Sequence, residues 1–309
     1  MTTLDQTRPV RCPDDYAPGQ LSTYRAQDRP DSDTGVHRPY PTDLGNARGT
    51  AVVPAADQLT LRLTAAMPLD LASLAALGPA DLHGPDLGQP WVGDADVAHL
   101  AGLTGLQALS LATTGVTDAG LAALRRLTDL EELDLAGIRL TDLGLRHLAG
   151  PRALAHLDLT ATRVGDAGLR HPRGFTALEW LDLSGTEVWG GGLAQLWALQ
   201  ELGDRSSVPR RRTTRDWPRC PPLAALWYLH LDRTAIGDAS LARLARLPQL
   251  RCLALDDTAI TDRGLEWLDD IAELDEIASG GTRVTSAGLR RLRRVPPQVC
   301  VITWNIETS

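Results

Sequence analysis

LQALSLATTGVTDAGLAALRRLTD (residues 106–129), LEELDLAGIRLTDLGLRHLAGPRA (130–153) and LRCLALDDTAITDRGLEWLDDIAE (250–273) are three versions of one 24-residue pattern, LxxLxLxxTxVTDxGLxxLxxLxx. A leucine opens the unit at 82, 106, 130, 154, 178, 202, 226, 250 and 274, nine positions with no insertion or deletion between them. A fixed period of this size marks a stack of identical supersecondary units. Inside the unit, leucines alternate with polar residues, as in Leu133 and Leu135 or Leu181 and Leu183, the period of a short strand with one buried face. A threonine follows at 114, 162, 186, 234, 258 and 282, where its hydroxyl can satisfy turn backbone groups that would otherwise be buried without partners. The Thr-Asp pair after it (Thr117 and Asp118, Thr141 and Asp142, Thr261 and Asp262) offers a helix N-cap, and Leu121, Leu124 and Leu127 give a short helix its inner face. A single strand–turn–helix coil cannot bury its apolar face alone. Stacking makes it stable, and the fold class expected is an α/β solenoid: a curved horseshoe with a parallel sheet on its concave face and short helices on its convex face.

The repeat resembles the leucine-rich repeats of bacterial proteins, in the subclass related to ribonuclease-inhibitor-like and cysteine-containing repeats, with threonine where many relatives carry asparagine or cysteine. The resemblance implies a concave binding surface and a non-enzymatic scaffold that recognises another protein or peptide.

Four regions are expected. Residues 1–57 do not share the period, and with Pro9, Pro13, Pro18, Pro30, Pro39, Pro41 and Pro54 among Asp, Arg and Thr they read as an irregular segment. Residues 58–81 form an atypical first strand and helix that cap the open hydrophobic end. Residues 82–297 hold nine repeats, and 298–309 a C-terminal strand or cap. The repeat at 202–225 keeps the length but not the pattern, with Arg205, Ser207, Arg210 and Arg212 where leucines, threonine and valine belong. Buried unpaired guanidinium groups would cost several kcal/mol each. Residues 203–216 are therefore expected to bulge outward while the helical half stays docked.

The composition narrows the function classes. The net charge is −8, with 31 basic residues that are all arginine against 39 acidic ones, so nucleic acid is not expected as the main partner. No run approaches the roughly 18 apolar residues of a membrane span, and the first residues lack the layout of a secretory signal, which suggests a cytoplasmic protein. Four scattered cysteines (Cys12, Cys220, Cys252, Cys300) read as free thiols. No nucleophile elbow, metalloprotease motif, phosphate loop or paired CxxC is present, so no catalytic residue, metal or cofactor is assigned and the chain is read as a non-enzyme.

Residues between the strand leucines point out of the concave face. They are Glu132, Asp134, His156, Asp158, Trp180, Asp182, Tyr228, His230, Asp232, Asp256, Asp257 and Glu276, an acidic stripe interrupted by aromatics. Asp134, Asp158 and Asp182 fall in one slot of successive coils, about 5 Å apart, where like charges repel by roughly 1 kcal/mol per pair in water. A protein or peptide with a basic segment is the expected partner, with Trp180, Tyr228 and His230 as anchors. The alternative readings are an accessory factor that docks an anionic ligand or nucleic acid through Arg205, Arg210, Arg211, Arg212, Arg215 and Arg219, and an effector or enzyme dependent on the N-terminal segment. The oligomeric state is left open.

Overall fold

Strand formation begins well before the repeats. The computed structural model describes residues 7–11, 19–25, 42–46, 50–54, 57–63, 71–170, 177–196, 226–247 and 249–292. Its first strands are β1 (Thr7–Arg11), β2 (Gly19–Arg25), β3 (Thr42–Asn46), β4 (Thr50–Pro54) and β5 (Asp57–Leu63). β1 pairs antiparallel with β4, and β2 lies between β3 and β5, antiparallel to both. These strands stand where irregular chain was expected from the proline count. The physical reason is local. QLTLRL alternates with period two through Leu59, Leu61 and Leu63, and β2 and β5 pair over seven residues, from Gly19 opposite Leu63 to Arg25 opposite Asp57. Most prolines of the segment fall between the strands, and Pro9 sits in a two-stranded pair where a missing N–H is tolerated.

The repeats supply seven parallel strands of three residues each: β6 (Ala108–Ser110), β7 (Glu132–Asp134), β8 (His156–Asp158), β9 (Trp180–Asp182), β10 (Tyr228–His230), β11 (Cys252–Ala254) and β12 (Glu276–Ala278). Their order in the sheet is their order in the chain, and the sheet is open. Single-residue parallel bridges from Arg62 to Asp86 and from Asp86 to Ser110 join β5 to β6. The antiparallel strands β3, β2 and β5 thus continue the concave sheet at its first end, while β1 and β4 form a separate pair. Between β5 and β6, a short helix at Leu71–Ala76 completes the atypical first coil.

Each coil buries the same set of side chains. In the coil from Leu106, the leucines 106, 109, 111, 121, 124 and 127 and Val116 are all at most 2% exposed. Every such leucine removed from water contributes roughly 1.5–3 kcal/mol. The buried threonines satisfy backbone within their own coil: the hydroxyls of Thr114, Thr162, Thr186, Thr234 and Thr258 donate to the carbonyls three residues earlier at 2.5–2.7 Å. The residue just before this threonine slot takes a left-handed conformation in each of the seven coils that carry β6 to β12, with φ of 55–70° at Thr113, Gly137, Ala161, Gly185, Arg233, Asp257 and Gly281. Only three of the seven are glycine.

The Thr-Asp pair does more than cap a helix. Thr141 and Thr261 do accept the amide two residues on. The aspartate beside each reaches into the following coil: the Thr117 amide and hydroxyl donate to Asp94 at 2.8 and 2.7 Å, those of Thr141 to Asp118 at 2.8 and 2.6 Å, and those of Thr261 to Asp238 at 2.7 Å each. Thr285 binds Asp262 in the same way, and the amides of Gly165 and Trp189 donate to Asp142 and Asp166. These carboxylates staple coil to coil. They fit because the helix of the following coil carries a glycine: a Cβ at Gly120, Gly144, Gly168, Gly264 or Gly288 would collide with the stapling aspartate of the coil before.

The ladder passes directly from β9 to β10, with Trp180 opposite Tyr228 and Asp182 opposite His230. The coil of β10 offers the buried Leu226, Leu229 and Leu231 to match Leu178, Leu181 and Leu183 in the coil of β9. On the convex side the helix at Gly192–Gln195 meets the helix at Asp238–Leu244, with the Arg243 guanidinium donating to the Gly190 carbonyl at 3.2 Å; the expected docking of the helical half of 202–225 lies outside the described residues. The seam has its own complement. Gly190 stands in the stapling aspartate's slot and Ser240 in the slot of the helix glycine, and a Cβ on Gly190 would run into Ser240. The arginines 205–219 and the C-terminal 298–309 lie outside the described residues.

Candidate functional site

The concave face is three rows of side chains in strict register. The first runs Ala108, Glu132, His156, Trp180, Tyr228, Cys252, Glu276, and the second Ser110, Asp134, Asp158, Asp182, His230, Ala254, Ala278. The strands place these two rows outward because the residue between them, Leu109 through Ile277, is buried in every coil. Asp232 and Asp256 lie two residues beyond the second row, at the strand-to-turn corner. Asp257 does not belong to the face: it occupies the left-handed turn position, and its carboxylate accepts from Arg233 at 3.4 Å.

The repeated aspartate of the second row has a local duty. Asp134, Asp158 and Asp182 each accept, through Oδ1, the amide two residues on, from Ala136 at 3.0 Å and from Thr160 and Ser184 at 2.8 Å. The side chain thereby ends the strand and starts the turn. One carboxylate oxygen of each is left for other partners. Ser110 donates to Oδ2 of Asp134 at 2.9 Å, and His230 Nδ1 lies 3.2 Å from Oδ2 of Asp182. In the third row, the Asp256 amide donates to Asp232 at 2.8 Å and the Gly280 amide to Asp256 at 2.5 Å.

Crowding of carboxylates shows in their proton affinities. Burial pushes the Asp158 carboxyl above its ordinary value, hydrogen bonds from Thr160 act against this, and the charges of Asp182 and Asp134 reinforce it. Asp232 is likewise raised by burial, with the charges of Asp256 and Asp182 adding to the effect and hydrogen bonding from the Asp256 amide opposing it. Asp182 goes the other way: burial alone would raise it, but hydrogen bonds from His230 and Ser184 and the His230 charge hold it below the usual carboxylate range. For His230, burial favours the neutral ring, yet the hydrogen bond to Asp182 and the fields of Asp182, Asp232 and Asp158 bring it above the ordinary histidine value. The Trp180 ring meets the His230 ring edge-on, with centroids 5.8 Å apart.

Glu132, Asp134, His156, Asp158, Trp180, Asp182, Tyr228, His230 and Glu276 therefore share one surface, with Asp232 and Asp256 along its edge. Sequence reasoning missed the contact between His230 and Asp182, because it counted a coil between them. It also missed the stapling role of the Asp of Thr-Asp, although the glycine two residues after that Asp was a readable signal. Among the described residues, no group of three or more His, Cys, Asp or Glu is placed to hold a metal, and no helix is long and apolar enough to cross a membrane.

No family model and no curated protein matches the chain. Solved structures do. An internalin, inlF, from Listeria monocytogenes superposes with a TM-score of 0.50 at 18% identity, covering 73% of this chain and 62% of its own. Internalin C2 from the same organism superposes with a TM-score of 0.52 at 22% identity, covering 74% of this chain and 82% of its own. The chain thus spans less than two thirds of the first and most of the second. At these identities the likeness is one of fold, and the fold is the leucine-rich repeat solenoid: short parallel strands stacked along one face and short helices along the other.

Proposed function

We propose that the chain is a non-enzymatic protein- or peptide-binding scaffold whose concave face receives a basic segment of its partner. One observation carries the reading: the five carboxylates of Glu132, Asp134, Asp158, Asp182 and Glu276 and the aromatics Trp180 and Tyr228 share an outward surface in strand register, while the apolar residues between them hold that surface on a buried core. The Asx-turn bonds of Asp134, Asp158 and Asp182 use Oδ1 of each, and although Ser110 and His230 reach Oδ2 of Asp134 and Asp182, each carboxylate oxygen can accept more than one hydrogen bond. An arginine side chain lying along this row can donate charge-assisted hydrogen bonds to carboxylates of two coils at once, and the Trp180 ring offers a flat surface beside it. Burial of Asp158 strengthens the preference for a cation, since a bound guanidinium relieves the repulsion from Asp134 and Asp182.

The test uses a labelled (Arg-Gly)4 peptide, its (Glu-Gly)4 counterpart and fluorescence anisotropy at physiological salt. Wild type should bind the first and not the second. The variant Asp134→Ala, Asp158→Ala, Trp180→Ala, Asp182→Ala, with a wild-type circular dichroism spectrum, should lose at least about tenfold in affinity. Equal binding by the variant, or equal binding of both peptides, would overturn the reading.

A further inference from the structure

His230 is the one cationic group that the described structure inserts into the row of carboxylates, and it is there because a coil is skipped. In a stack that kept every coil, Asp182 and His230 would lie two strand spacings apart, about 9.6 Å. Direct pairing of β9 with β10 brings Nδ1 of His230 to 3.2 Å from Oδ2 of Asp182. We propose that His230 is the built-in counter-ion of the concave face, so that its affinity for a basic segment falls as His230 takes a proton; the inference rests on the partner chemistry proposed above.

The surroundings fix the sign. From β9, Asp182 faces the ring, and Trp180 meets its edge. From β8 the charge of Asp158 reaches it, and from its own coil that of Asp232. The Asp256 carboxylate stands next to Asp232 across the turn, and on the β11 side the neighbouring residue in register is Ala254, which carries no charge. Tyr228 precedes it on β10 by two residues, and His156 lies in the other outward row, opposite Trp180. Among the described residues, every charged group facing the ring is therefore a carboxylate. A protonated imidazole gains from all of them, and in that form it occupies with its own charge the place a ligand guanidinium would take. A neutral ring leaves the carboxylates to the ligand. Linkage makes the effect reciprocal: a bound basic segment must lower the proton affinity of His230. With that affinity raised by the same carboxylates, the change falls above the ordinary histidine value.

The experiment follows binding of the labelled (Arg-Gly)4 peptide from about pH 5.5 to about pH 8.5 at fixed ionic strength. Wild type should gain affinity with rising pH by on the order of three- to tenfold, the effect of one unit charge acting across roughly 7 Å of partly screened surface. His230→Asn keeps a donor for Asp182 but cannot titrate, and should lose most of the pH dependence over this range, whereas His156→Asn should keep most of it. NMR titration of the His230 ring, with and without peptide, should show its midpoint fall when peptide is bound. Wild-type binding that ignores pH, or a His230→Asn variant that keeps the dependence, would overturn the inference and leave the binding reading intact. Absence of peptide binding at every pH would instead remove the reading, and the inference with it.

Discussion

Removing one stapling aspartate should loosen the solenoid at one defined joint. Asp118 accepts two hydrogen bonds from Thr141 in the next coil, at 2.8 Å from the amide and 2.6 Å from the hydroxyl. Hydrogen bonds to a charged acceptor contribute roughly 1.5–3 kcal/mol when shielded, and Asp118 is half-buried, so the lower end applies and Asp118→Ala should destabilise by about 2 kcal/mol. For a chain of this size that corresponds to a fall in Tm of about 3 °C. Thr141→Val removes only the hydroxyl bond and the weaker cap to the Leu143 amide, leaving the Thr141 amide on the carboxylate, and should cost about 1 kcal/mol. The double mutant should then fall short of the sum by about 1 kcal/mol, because the hydroxyl bond is lost only once. Urea denaturation followed by circular dichroism measures all three, and amide exchange at Thr141 reads the joint directly. An Asp118→Ala variant within about 0.5 kcal/mol of wild type, with unchanged exchange at Thr141, would refute the staple as a source of stability.

The skipped coil makes a second prediction: β9 and β10 are separated by two repeat lengths, so deleting residues 202–225 restores a single period and should leave the Tm unchanged, whereas a clear loss of thermal stability would show that this coil contributes to the stack. The left-handed slot gives a third. Ala161→Gly should stabilise by about 0.5–1 kcal/mol and Gly137→Ala destabilise by about 1 kcal/mol, since a Cβ at Gly137 meets only ordinary contacts and the cost lies in the dihedral alone; equal and negligible shifts in denaturant midpoint would contradict this. A fourth concerns pH. The His230 contribution is complete below its unfolded value of 6.5 and is lost as pH rises through its higher folded value, so stability should decline across neutral pH in wild type and not in His230→Asn. The Asp182 contribution is present above 3.8 and disappears as pH falls through its lowered folded value, so Asp182→Asn should flatten the acid limb of the stability curve.

Much of this architecture was legible because repetition multiplies weak signals. One LxL alternation is ambiguous between strand and buried helix, but the same alternation every 24 residues, from Leu109 to Ile277, is not. The outward residues followed from that register, and the concave rows contain the residues read for them, with Asp257 displaced because a turn reverses direction after Asp256. Two things were hidden. The antiparallel strands at 7–63 carry no period, and their pairing joins residues as far apart as Gly19 and Leu63, a contact that composition does not encode. The seam was hidden because residues 202–225 keep the repeat length, so counting implied a coil where the arginines forbade one. Gly190 and Ser240 marked the seam all along, but their meaning depends on knowing that aspartate and glycine face each other across every other joint.

That complementarity also governs how such a chain can change over time. Where each coil offers a carboxylate and the next leaves room for it, any coil can be duplicated, lost or exchanged, because every copy presents the same two surfaces. The seam is the exception. A new coil placed there would find no carboxylate at Gly190 to grip its threonine, and its own aspartate would be driven against Ser240. The stack is therefore free to grow or shrink on either side of the seam, while the order of the two coils that flank it is fixed, and with it the adjacency of His230 to Asp182.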